Sequence, residues 1–320
     1  MENNIKKISS FDVDKTDLIE NAKDFANYAY AENTLISYKK DWKNFCLWCN
    51  QNNLIALPSS IDNIILYITN LANIKQKAST IERKIYSIRK MHQLHDYHLN
   101  FKDSRFILVY KGIKRKIGTA KVGKAPLLIK QLREVISVIT EDSFMSIRDR
   151  AIISFGFASA MRRSEIIDLN WSDIEFIDEG MVVTINRSKT DKYGVGQKIA
   201  IIYGKYKNTC AVTSIKKLKS ISDSKAVFTS INKADIVTDK RLSSTDIARI
   251  IKKRLINAGI DPTDYGGHSL RSGFITTAAK NSVPDHIIMK HSRHKTIQML
   301  KTYTRDNSLI NDNATSMIGL

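Results

Sequence analysis

Hydrophobic and polar residues along the first third of the chain follow a helical period. Apolar side chains recur every three or four positions between groups of polar residues, which is typical of amphipathic helices. The pattern predicts helices over about residues 33–50, 61–71, 80–91 and 104–116. Pro58 and the pair Ser59–Ser60 end a loop and cap the second of these helices. Residues 1–12 are expected to form a flexible polar arm, and residues 13–117 a helical domain.

A basic segment follows this helical region. Nine Lys or Arg residues and a single acid, Asp103, lie between Phe101 and Lys130. Within this segment, the glycines and lysines of residues 118–126 are typical of a flexible linker. The sequence therefore predicts two domains, with the second one spanning residues 127–320.

The second domain mixes helical patterns with β-branched runs. Met181–Asn186 and Lys198–Ile202 flank a turn-rich segment and predict an antiparallel hairpin, and Ala226–Thr229 is a further candidate strand. The other patterns predict helices over about residues 128–139, 146–160, 243–258, 269–280, 284–290, 296–303 and 308–318. The predicted fold class is mainly α: a helical N-terminal domain, then an α-rich C-terminal domain with a small antiparallel β-sheet.

The amino-acid composition indicates which class of molecule the protein binds. The 51 Lys and Arg residues exceed the 32 Asp and Glu residues, so the formal net charge is +19, which favours nucleic acid as the partner. No apolar run approaches the roughly 18 residues of a membrane span, and the N-terminus lacks the apolar segment of a signal peptide. Cys46 and Cys49 form a C-x-x-C inside a predicted helix and are expected to be core residues. We expect a soluble, reduced, cytoplasmic protein, associated with the nucleoid when bound to DNA.

Several polar residues of the second domain are of the types that bind phosphate. Arg162 and Glu165 lie three residues apart after the most apolar helix, so the acid can orient a guanidinium group that holds a phosphate. The other candidates are His268 and Arg271 in a His-x-x-Arg, Lys189 at the hairpin turn, and His294 nine residues before Tyr303. Each pattern alone is common, and Arg-x-x-Glu is usually an ordinary ion pair. Their shared order and context are far more specific.

Together these motifs resemble the tyrosine recombinase, or phage integrase, family, which includes Cre-like and Xer-like site-specific recombinases. The matching motifs are Ala160-Met161-Arg162-Arg163-Ser164-Glu165, Lys189-Thr190, His268 to Arg271 with Ser272-Gly273 after it, and His294 to Tyr303. The segments NTLISYKKDWKNFCLWCNQNN, STIERKIYSIRKMHQLH and YKGIKRKIG also resemble the core-binding domain of Cre-like members. The resemblance implies a core-binding domain over residues 13–117 and a catalytic domain over residues 127–320.

The resemblance implies that a tyrosine cleaves and rejoins DNA through a 3′-phosphotyrosyl link. Tyrosine, with a pKa of about 10, is a weak nucleophile, and fixed cations stabilise the charge that its attack builds on the phosphate. The resemblance implies that Arg162 and Arg271 clamp the scissile phosphate and that His294 donates a hydrogen bond to a non-bridging oxygen. Tyr303 would attack the phosphorus, and Lys189 would protonate the departing 5′-oxygen. His268 would exchange a proton with Tyr303, and Glu165 would brace the site. Neither a metal nor a nucleotide cofactor is implied, because the guanidinium groups replace a metal ion and the phosphotyrosine conserves the bond energy.

Two positions depart from the family pattern. Arg293 stands before His294, where the family usually has glycine, and Ala160 stands where glycine is common. His291 is a rival for the role of His294, but the spacing to Tyr303 favours His294. His92, His95 and His98 share a helical face without acidic or cysteine partners, so zinc binding is not expected there.

The implied partner is double-stranded DNA with a specific target site. The helix over about 80–91 is expected to enter a major groove with an outward basic face, and the helix over about 245–255 to be its counterpart in the catalytic domain. The candidate DNA contacts are Lys39, Lys43, Arg83, Lys84, Arg89, Lys90, Lys114, Arg115, Lys116, Arg249, Lys252 and Lys253. With the basic linker these elements would form a clamp on the duplex, and binding would depend on salt.

The C-terminal segment and the biological role each allow alternatives. Residues 308–320 carry more apolar side chains than a solvent-exposed tail needs. As in Cre-like proteins, they would dock into a neighbouring subunit of a tetramer on two sites, or else they would pack on their own domain. The leading function is site-specific recombination. The alternatives are a type IB topoisomerase-like or hairpin-forming resolvase with the same tyrosine chemistry, and a non-catalytic DNA-binding protein.

Overall fold

The computed structural model describes residues 18, 20, 21, 25, 32–120, 123–186, 196–298 and 300. The chain divides into two units, Met1–Val122 and Gly123–Leu320. This division falls within the segment 118–126 that the sequence marks as a linker. Each unit has a hydrophobic core of its own.

From residue 32 onward, the described part of the first unit is a set of four helices. They are α1 Glu32–Gln51, α2 Ile61–Asn73, α3 Ala78–Leu94 and α4 Ser104–Ile117, close to the predicted ranges. Their apolar stripes meet in a core that includes Phe45, Ile64 and Ile81. The Ser60 hydroxyl accepts a hydrogen bond from the backbone N–H of Asn63 at 3.2 Å, so the predicted cap of α2 is confirmed.

The predicted outward basic face of α3 is wrong at one position. Lys84 is buried, with its Nζ 3.3 Å from Oδ1 of Asp41, a carboxylate that is only 2% exposed. Arg83 donates to the same carboxylate from Nε at 2.8 Å and from Nη2 at 3.2 Å. Because a buried carboxylate needs compensating charge, Asp41 on α1 draws Lys84 inward. Arg83 and Arg89 remain exposed on α3, and Lys90 is half-buried.

From Gly123 onward the described residues form helices around small antiparallel sheets. The elements are α5 Ile129–Ser137, α6 Phe144–Ala158, α7 Arg163–Asp168, β1 Ile174–Ile177, β2 Gly180–Ile185, β3 Gln197–Ile202, α8 Ala211–Lys219, β4 Thr229–Ile231, β5 Val237–Arg241, α9 Ser244–Asn257, α10 Ser269–Lys280 and α11 Asp285–Ser292. The strands β1, β2 and β3 pair antiparallel in that order, with Val183 opposite both Ile174 and Ile199, and β4 pairs with β5. The predicted fold class and hairpin are confirmed.

Some elements of the second unit carry no sequence signal long enough to predict them. The strands β1 and β5, and the helix α7, all have fewer than nine residues. The helix α8 is different, because Val212, Ile215 and Leu218 have helical spacing and bury one side of it in the core, so its sequence signal was present and was missed. The candidate strand at Ala226–Thr229 is shifted, since β4 shares only Thr229 with it.

The helix α6 lies at the centre of the second unit. Nearly every side chain from Ser146 to Phe157 is buried, which is the pattern of a fully enclosed helix. Its Asp149 is 1% exposed and accepts from Arg148 Nη2 at 2.7 Å and from Arg254 Nε of α9 at 2.8 Å. The buried carboxylate of Asp149 thus ties α6 to α9 through Arg254, while Arg148 of α6 itself adds a second compensating charge.

The chain that enters the second unit lies directly on α10. The N–H of Leu127 donates to the carbonyl of Ser269 at 2.9 Å, and a Cβ at Gly273 would lie 1.9 Å from the Leu127 carbonyl oxygen. Only glycine permits this approach. The N–H of Ala125 donates to the Asp264 carbonyl at 2.7 Å. The last part of the predicted linker is therefore hydrogen-bonded to the second unit.

Several predicted features lie outside the described residues. These are the arm over residues 1–12, the hairpin loop over 187–195 and the helix over 308–318. Residues 297, 298 and 300 are helical, within the predicted range 296–303. Among the described residues no helix is both long and apolar enough to cross a membrane.

Candidate active site

The site is built around a tight turn that follows α6. Ala160 in this turn is fully buried and has a φ of +47°, in the left-handed region that glycine adopts most readily. The conformation is consistent with the glycine that is common at this place in the resembling family. The carbonyl of Ala160 accepts a hydrogen bond from Arg271 Nη1 at 2.6 Å. The turn therefore links the first arginine motif to the second.

Arg162 is held at the start of α7 by Glu165. The backbone N–H of Arg162 donates to Glu165 Oε2 at 2.8 Å, and its Nη1 donates to Oε1 at 2.7 Å. The Glu165 side chain is 2% exposed and that of Arg162 is 15% exposed. Among the described residues the guanidinium of Arg162 has no other hydrogen-bond partner. Its orientation is fixed while most of its donors stay available to a phosphate.

Arg271 and His294 meet in the interior of the unit. Arg271, on α10, is 1% exposed and is the largest fully buried side chain among the described residues. Its Nη2 lies 3.2 Å from Nε2 of His294, which follows α11. The arginine of the motif His268 to Arg271 and the histidine that begins the motif His294 to Tyr303 are thus brought together, as the sequence motifs predict.

The hydrogen bonds of His294 define its tautomer. The Ser292 hydroxyl has one proton, and the Ile288 carbonyl, 2.6 Å away, can only accept it. The ring Nδ1 of His294, 2.7 Å from the same hydroxyl oxygen, must then be the donor. The Nε2 atom of the neutral ring is left to accept from Arg271. In this structure His294 is therefore a neutral acceptor toward Arg271.

The electrostatics of the site favour neutral histidines. Burial, followed by the positive charge of Arg271, lowers the pKa of His294 from 6.5 to about 4. His268 lies at the protein surface just before α10. Desolvation, and then the charges of Arg271 and Arg162, lower its pKa as well. A neutral His268 can accept a proton at neutral pH.

Arg293 belongs to the site, although the sequence marks it only as a departure from the family pattern. It has a φ of +58°, ends α11 in the left-handed conformation and is buried. Its Nη2 donates to Glu165 Oε2 at 2.9 Å. Burial raises the pKa of Glu165, but Arg293 and the contacts with Arg162 outweigh it, so the pKa lies below its usual value. No local sequence pattern could indicate this contact, because 128 residues separate Arg293 from Glu165.

The geometry favours His294 over its rival His291. The Nε2 of His291 lies 2.7 Å from the carbonyl of Ala158, to which it donates, and its ring stacks on Phe274 at 4.7 Å. These contacts hold His291 against α6 and α10, while His294 contacts Arg271.

The remaining predicted site residues are more scattered. Lys189 and Tyr303 lie outside the described residues. Among the candidate DNA contacts, Lys84 is buried and the others are exposed or half-buried: Lys39, Lys43, Arg83, Arg89, Lys90, Lys114, Arg115, Lys116, Arg249, Lys252 and Lys253. Within the described residues no group of three His, Cys, Asp or Glu side chains could hold a metal ion. His92 is buried, with its ring nitrogens at the Ser59 N–H and the Ile88 carbonyl.

The depressed pKa of His294 predicts a pH-dependent stability. Because the unfolded chain binds a proton near pH 6.5 and the folded chain only near pH 4, the free energy of unfolding should fall as the pH decreases between these values. The contribution of this group is about 3 kcal/mol at most.

Urea unfolding of the wild type and of a His294→Gln variant from pH 7 to pH 4 measures this effect. Glutamine keeps an acceptor for Arg271 but does not titrate, so the wild type should lose more stability than the variant does. Parallel profiles would contradict the proposed environment of His294.

Comparisons with known proteins agree with the fold and the motifs. Residues 127–309 match the model of the phage integrase family. An integrase/recombinase xerD homolog of Selenomonas ruminantium is 34% identical over 289 residues, which cover 89% of this chain and 84% of that protein.

Two solved structures share the fold at low sequence identity. The Tn1549 transposon integrase in complex with transposon right end DNA aligns with a TM-score of 0.62 at 14% identity, over 88% of this chain and 92% of that chain. The lambda integrase tetramer bound to a Holliday junction aligns with a TM-score of 0.57 at 15% identity, over 89% of this chain and 75% of that chain. The fold, the arginine–histidine site and the family match lead to one assignment. The chain belongs to the phage integrase family and is a tyrosine site-specific recombinase, an enzyme that transfers DNA strands.

Proposed function

We propose that this recombinase cleaves and rejoins DNA at two target sites, as a tetramer, through a 3′-phosphotyrosyl intermediate. The observation that carries the proposal is the hydrogen-bonded convergence of Arg162, Arg271 and His294 around the buried turn at Ala160. DNA as the partner and an oligomeric state are supported by the two compared integrases, which hold DNA, one of them as a tetramer on a Holliday junction.

The two arginines supply a preorganised phosphate clamp. Arg162 is fixed by Glu165, and Arg271 by the carbonyl of Ala160, before any DNA is bound. Guanidinium groups that are already held in place stabilise the transition state most strongly in a buried site, because they need no reorganisation as charge develops on the phosphate. For His294 to donate to a phosphate oxygen, its ring must take up a proton at Nε2. The negative charge of the bound phosphate favours this by raising the pKa of the ring.

The covalent step follows from the motifs. The Tyr303 oxygen attacks phosphorus, the bond from phosphorus to the 5′-oxygen breaks, and the 3′-phosphate becomes linked to the enzyme. The phenol proton passes to the neutral His268, and Lys189 protonates the departing 5′-oxygen. The reverse sequence rejoins a strand without an external energy source.

The described residues nearest to Tyr303 support its role. Leu300 is fully buried with Ile275 of α10 and Ile288 of α11, the helices next to Arg271 and His294. Leu300 precedes Tyr303 by three residues in the sequence, so the described chain leading to Tyr303 is anchored on these two helices. This anchoring supports the proposed role of Tyr303.

The basic surfaces of both units are proposed to grip the duplex. On α3, Arg83, Tyr86 and Arg89 are among the exposed residues, and the guanidinium of Arg89 lies over the ring of Phe101 at 4.4 Å. On α9, Arg249 and Lys253 are exposed and Lys252 is half-buried. Such side chains suit contact with phosphates and base edges. The working enzyme would then reside on cellular DNA, in the nucleoid.

An apolar cavity on the second unit supports subunit exchange of the C-terminal segment. The cavity has a volume of about 320 Å³ and is lined by Phe157 of α6 and by residues of α10, α11 and the turn between these two helices. Residues 308–320 provide five large apolar side chains: Leu309, Ile310, Met317, Ile318 and Leu320. We assign the segment of a neighbouring subunit as the occupant of the cavity, because ring closure of a tetramer needs a head-to-tail contact of this kind.

Covalent capture tests the proposed reaction. On a nicked suicide duplex that carries the target site, the wild type should accumulate a covalent protein–DNA adduct, because the cleaved strand loses its 5′-hydroxyl fragment and cannot be rejoined. Tyr303→Phe should form none, since it lacks the attacking oxygen. Tyr206→Phe removes an exposed hydroxyl of the same unit and should behave as the wild type. An adduct with Tyr303→Phe would refute the assignment of the nucleophile.

A plasmid assay separates recombination from the topoisomerase alternative. A recombinase exchanges strands only when two sites are present. Relaxation of one-site plasmids, without recombinant products from two-site plasmids, would favour the topoisomerase-like function.

The salt dependence of binding tests the assignment of α3. Arg89→Ala should weaken DNA binding and reduce the slope of log K against log[salt] by about 0.9, the value for one phosphate contact. Lys84→Met, which keeps the aliphatic stem of a buried residue, should leave the slope unchanged. Both slopes are measured by titration at four salt concentrations. An unchanged slope for Arg89→Ala together with a reduced slope for Lys84→Met would exclude this face of α3 from the interface.

Deletion of residues 308–320 tests the exchanged segment. The truncated protein should still form the covalent adduct on a single suicide site but should lose assembly of paired sites in gel-shift and sedimentation experiments. Ile287→Glu places a charge at the cavity and should have the same effect, while Ile202→Glu on the exposed edge of β3 should not. Normal assembly after the deletion would indicate that the segment packs on its own subunit.

A further inference from the structure

The position before His294 holds a buried cation where the family usually has glycine. Arg293 adopts a left-handed backbone with a φ of +58°, which glycine would adopt without strain. Its side chain is 5% exposed. A large charged residue in a buried position with a glycine-like backbone lowers stability unless an opposite charge compensates it.

The guanidinium of Arg293 contacts the carboxylate that holds Arg162. Its Nη2 lies 2.9 Å from Glu165 Oε2, and Arg162 Nη1 lies 2.7 Å from Oε1 of the same carboxylate. Glu165 is thus shared between two arginines that approach from different elements, Arg162 at the start of α7 and Arg293 at the end of α11. Nε and Nη1 of Arg293 have no hydrogen-bond partner among the residues that the structure describes.

The charge balance of this cluster gives Arg293 its role. With glycine at position 293, the charges of Arg162 and Glu165 would cancel, and Arg271 alone would provide a net positive charge. With Arg293, the cluster contains three guanidinium groups and one carboxylate, of which Arg162 and Arg293 contact the carboxylate, and guanidinium groups remain protonated in proteins. The net charge of the cluster rises from +1 to +2 in a buried site, where charge acts strongly.

We propose that Arg293 is a positioning residue of the recombinase: it neutralises Glu165, so that Glu165 orients Arg162 without cancelling the charge that Arg162 presents to the scissile phosphate. This inference rests on the proposed function. It assigns a use to a residue that neither attacks the phosphate nor contacts the leaving group. It also explains why this chain places arginine where glycine would relieve the backbone.

Two substitutions separate the charge from the backbone and from the hydrogen bond. Arg293→Gly retains the left-handed turn and removes the guanidinium. Arg293→Gln retains a donor for Glu165 but carries no charge. Both should slow single-turnover formation of the phosphotyrosyl adduct by about 10- to 100-fold, with little change in DNA affinity, because the wider interface determines affinity. Arg293→Lys should recover most of the rate. Lys290→Gln removes an exposed charge from the same helix and should react as the wild type.

A neutral substrate distinguishes the electrostatic role from a structural one. A methylphosphonate at the scissile position replaces a charged non-bridging oxygen with a methyl group, so the substrate no longer needs full neutralisation. The ratio of wild-type to Arg293→Gly rates should therefore fall toward one on this substrate. Since both substrates are measured with the same preparation, any loss of folded variant cancels when the two ratios are compared.

Three results would decide the matter. An equal defect of Arg293→Gly on the phosphate and the methylphosphonate would overturn the electrostatic role and leave only packing. If Arg293→Gly formed the adduct on the ordinary phosphate as fast as the wild type does, this result would overturn any positioning role. If the wild type itself formed no adduct on either substrate, the proposed function would fail and not this inference alone.

Discussion

The carboxylate of Glu165 is the contact on which the arrangement of the site depends. It caps the short helix α7, fixes the guanidinium of Arg162 and accepts from Arg293 at the end of α11. An ionised carboxylate that is 2% exposed is stable only when hydrogen bonds and cations replace its lost hydration. Satisfying this one group therefore brings together two segments that are distant in sequence. The fixed orientation of Arg162, which the proposed phosphate clamp needs, is a consequence of that requirement.

The same solution recurs twice elsewhere in the protein. Asp41 in the first unit is shared between Arg83 and Lys84, and Asp149 in the second is shared between Arg148 and Arg254. Asp41 ties two helices together through both of its cations, and Asp149 does so through Arg254 alone, since Arg148 lies on its own helix. Part of the excess of Lys and Arg thus has an internal structural use, although the total charge of +19 alone would assign it all to DNA. Counting charges along a helix cannot distinguish the two uses, because the acid lies on another element.

The long, periodic parts of the fold were predictable, and the shortest parts were not. The four helices after residue 32 and the helix α9 carry two or more turns of apolar spacing, and α2, α4 and α9 also have a side-chain cap, so their ranges follow from the sequence. The strand β1 has only four residues, too few to express a period. The helix α8 is as long as the predicted α5 and has apolar Val212, Ile215 and Leu218 at helical spacing, so its sequence signal was present and was missed. In the site, the motifs identify Arg162, His268, Arg271 and His294. They also suggest a bracing role for Glu165, but not its second partner.

What the sequence by itself provided is the candidate chemistry: it singled out the cations, histidines and tyrosine proposed for this recombinase, because those residue types stand in a fixed order within recognisable local patterns. Only the tertiary structure decided which charges are compensated inside the protein and which remain for DNA. It turned Lys84 inward, joined Arg293 to Glu165 across 128 positions, and fixed the tautomer of His294 through Ser292. The physical reason is that charge compensation and proton sharing depend on distances of about 3 Å in space. Separation along the chain carries no information about such distances.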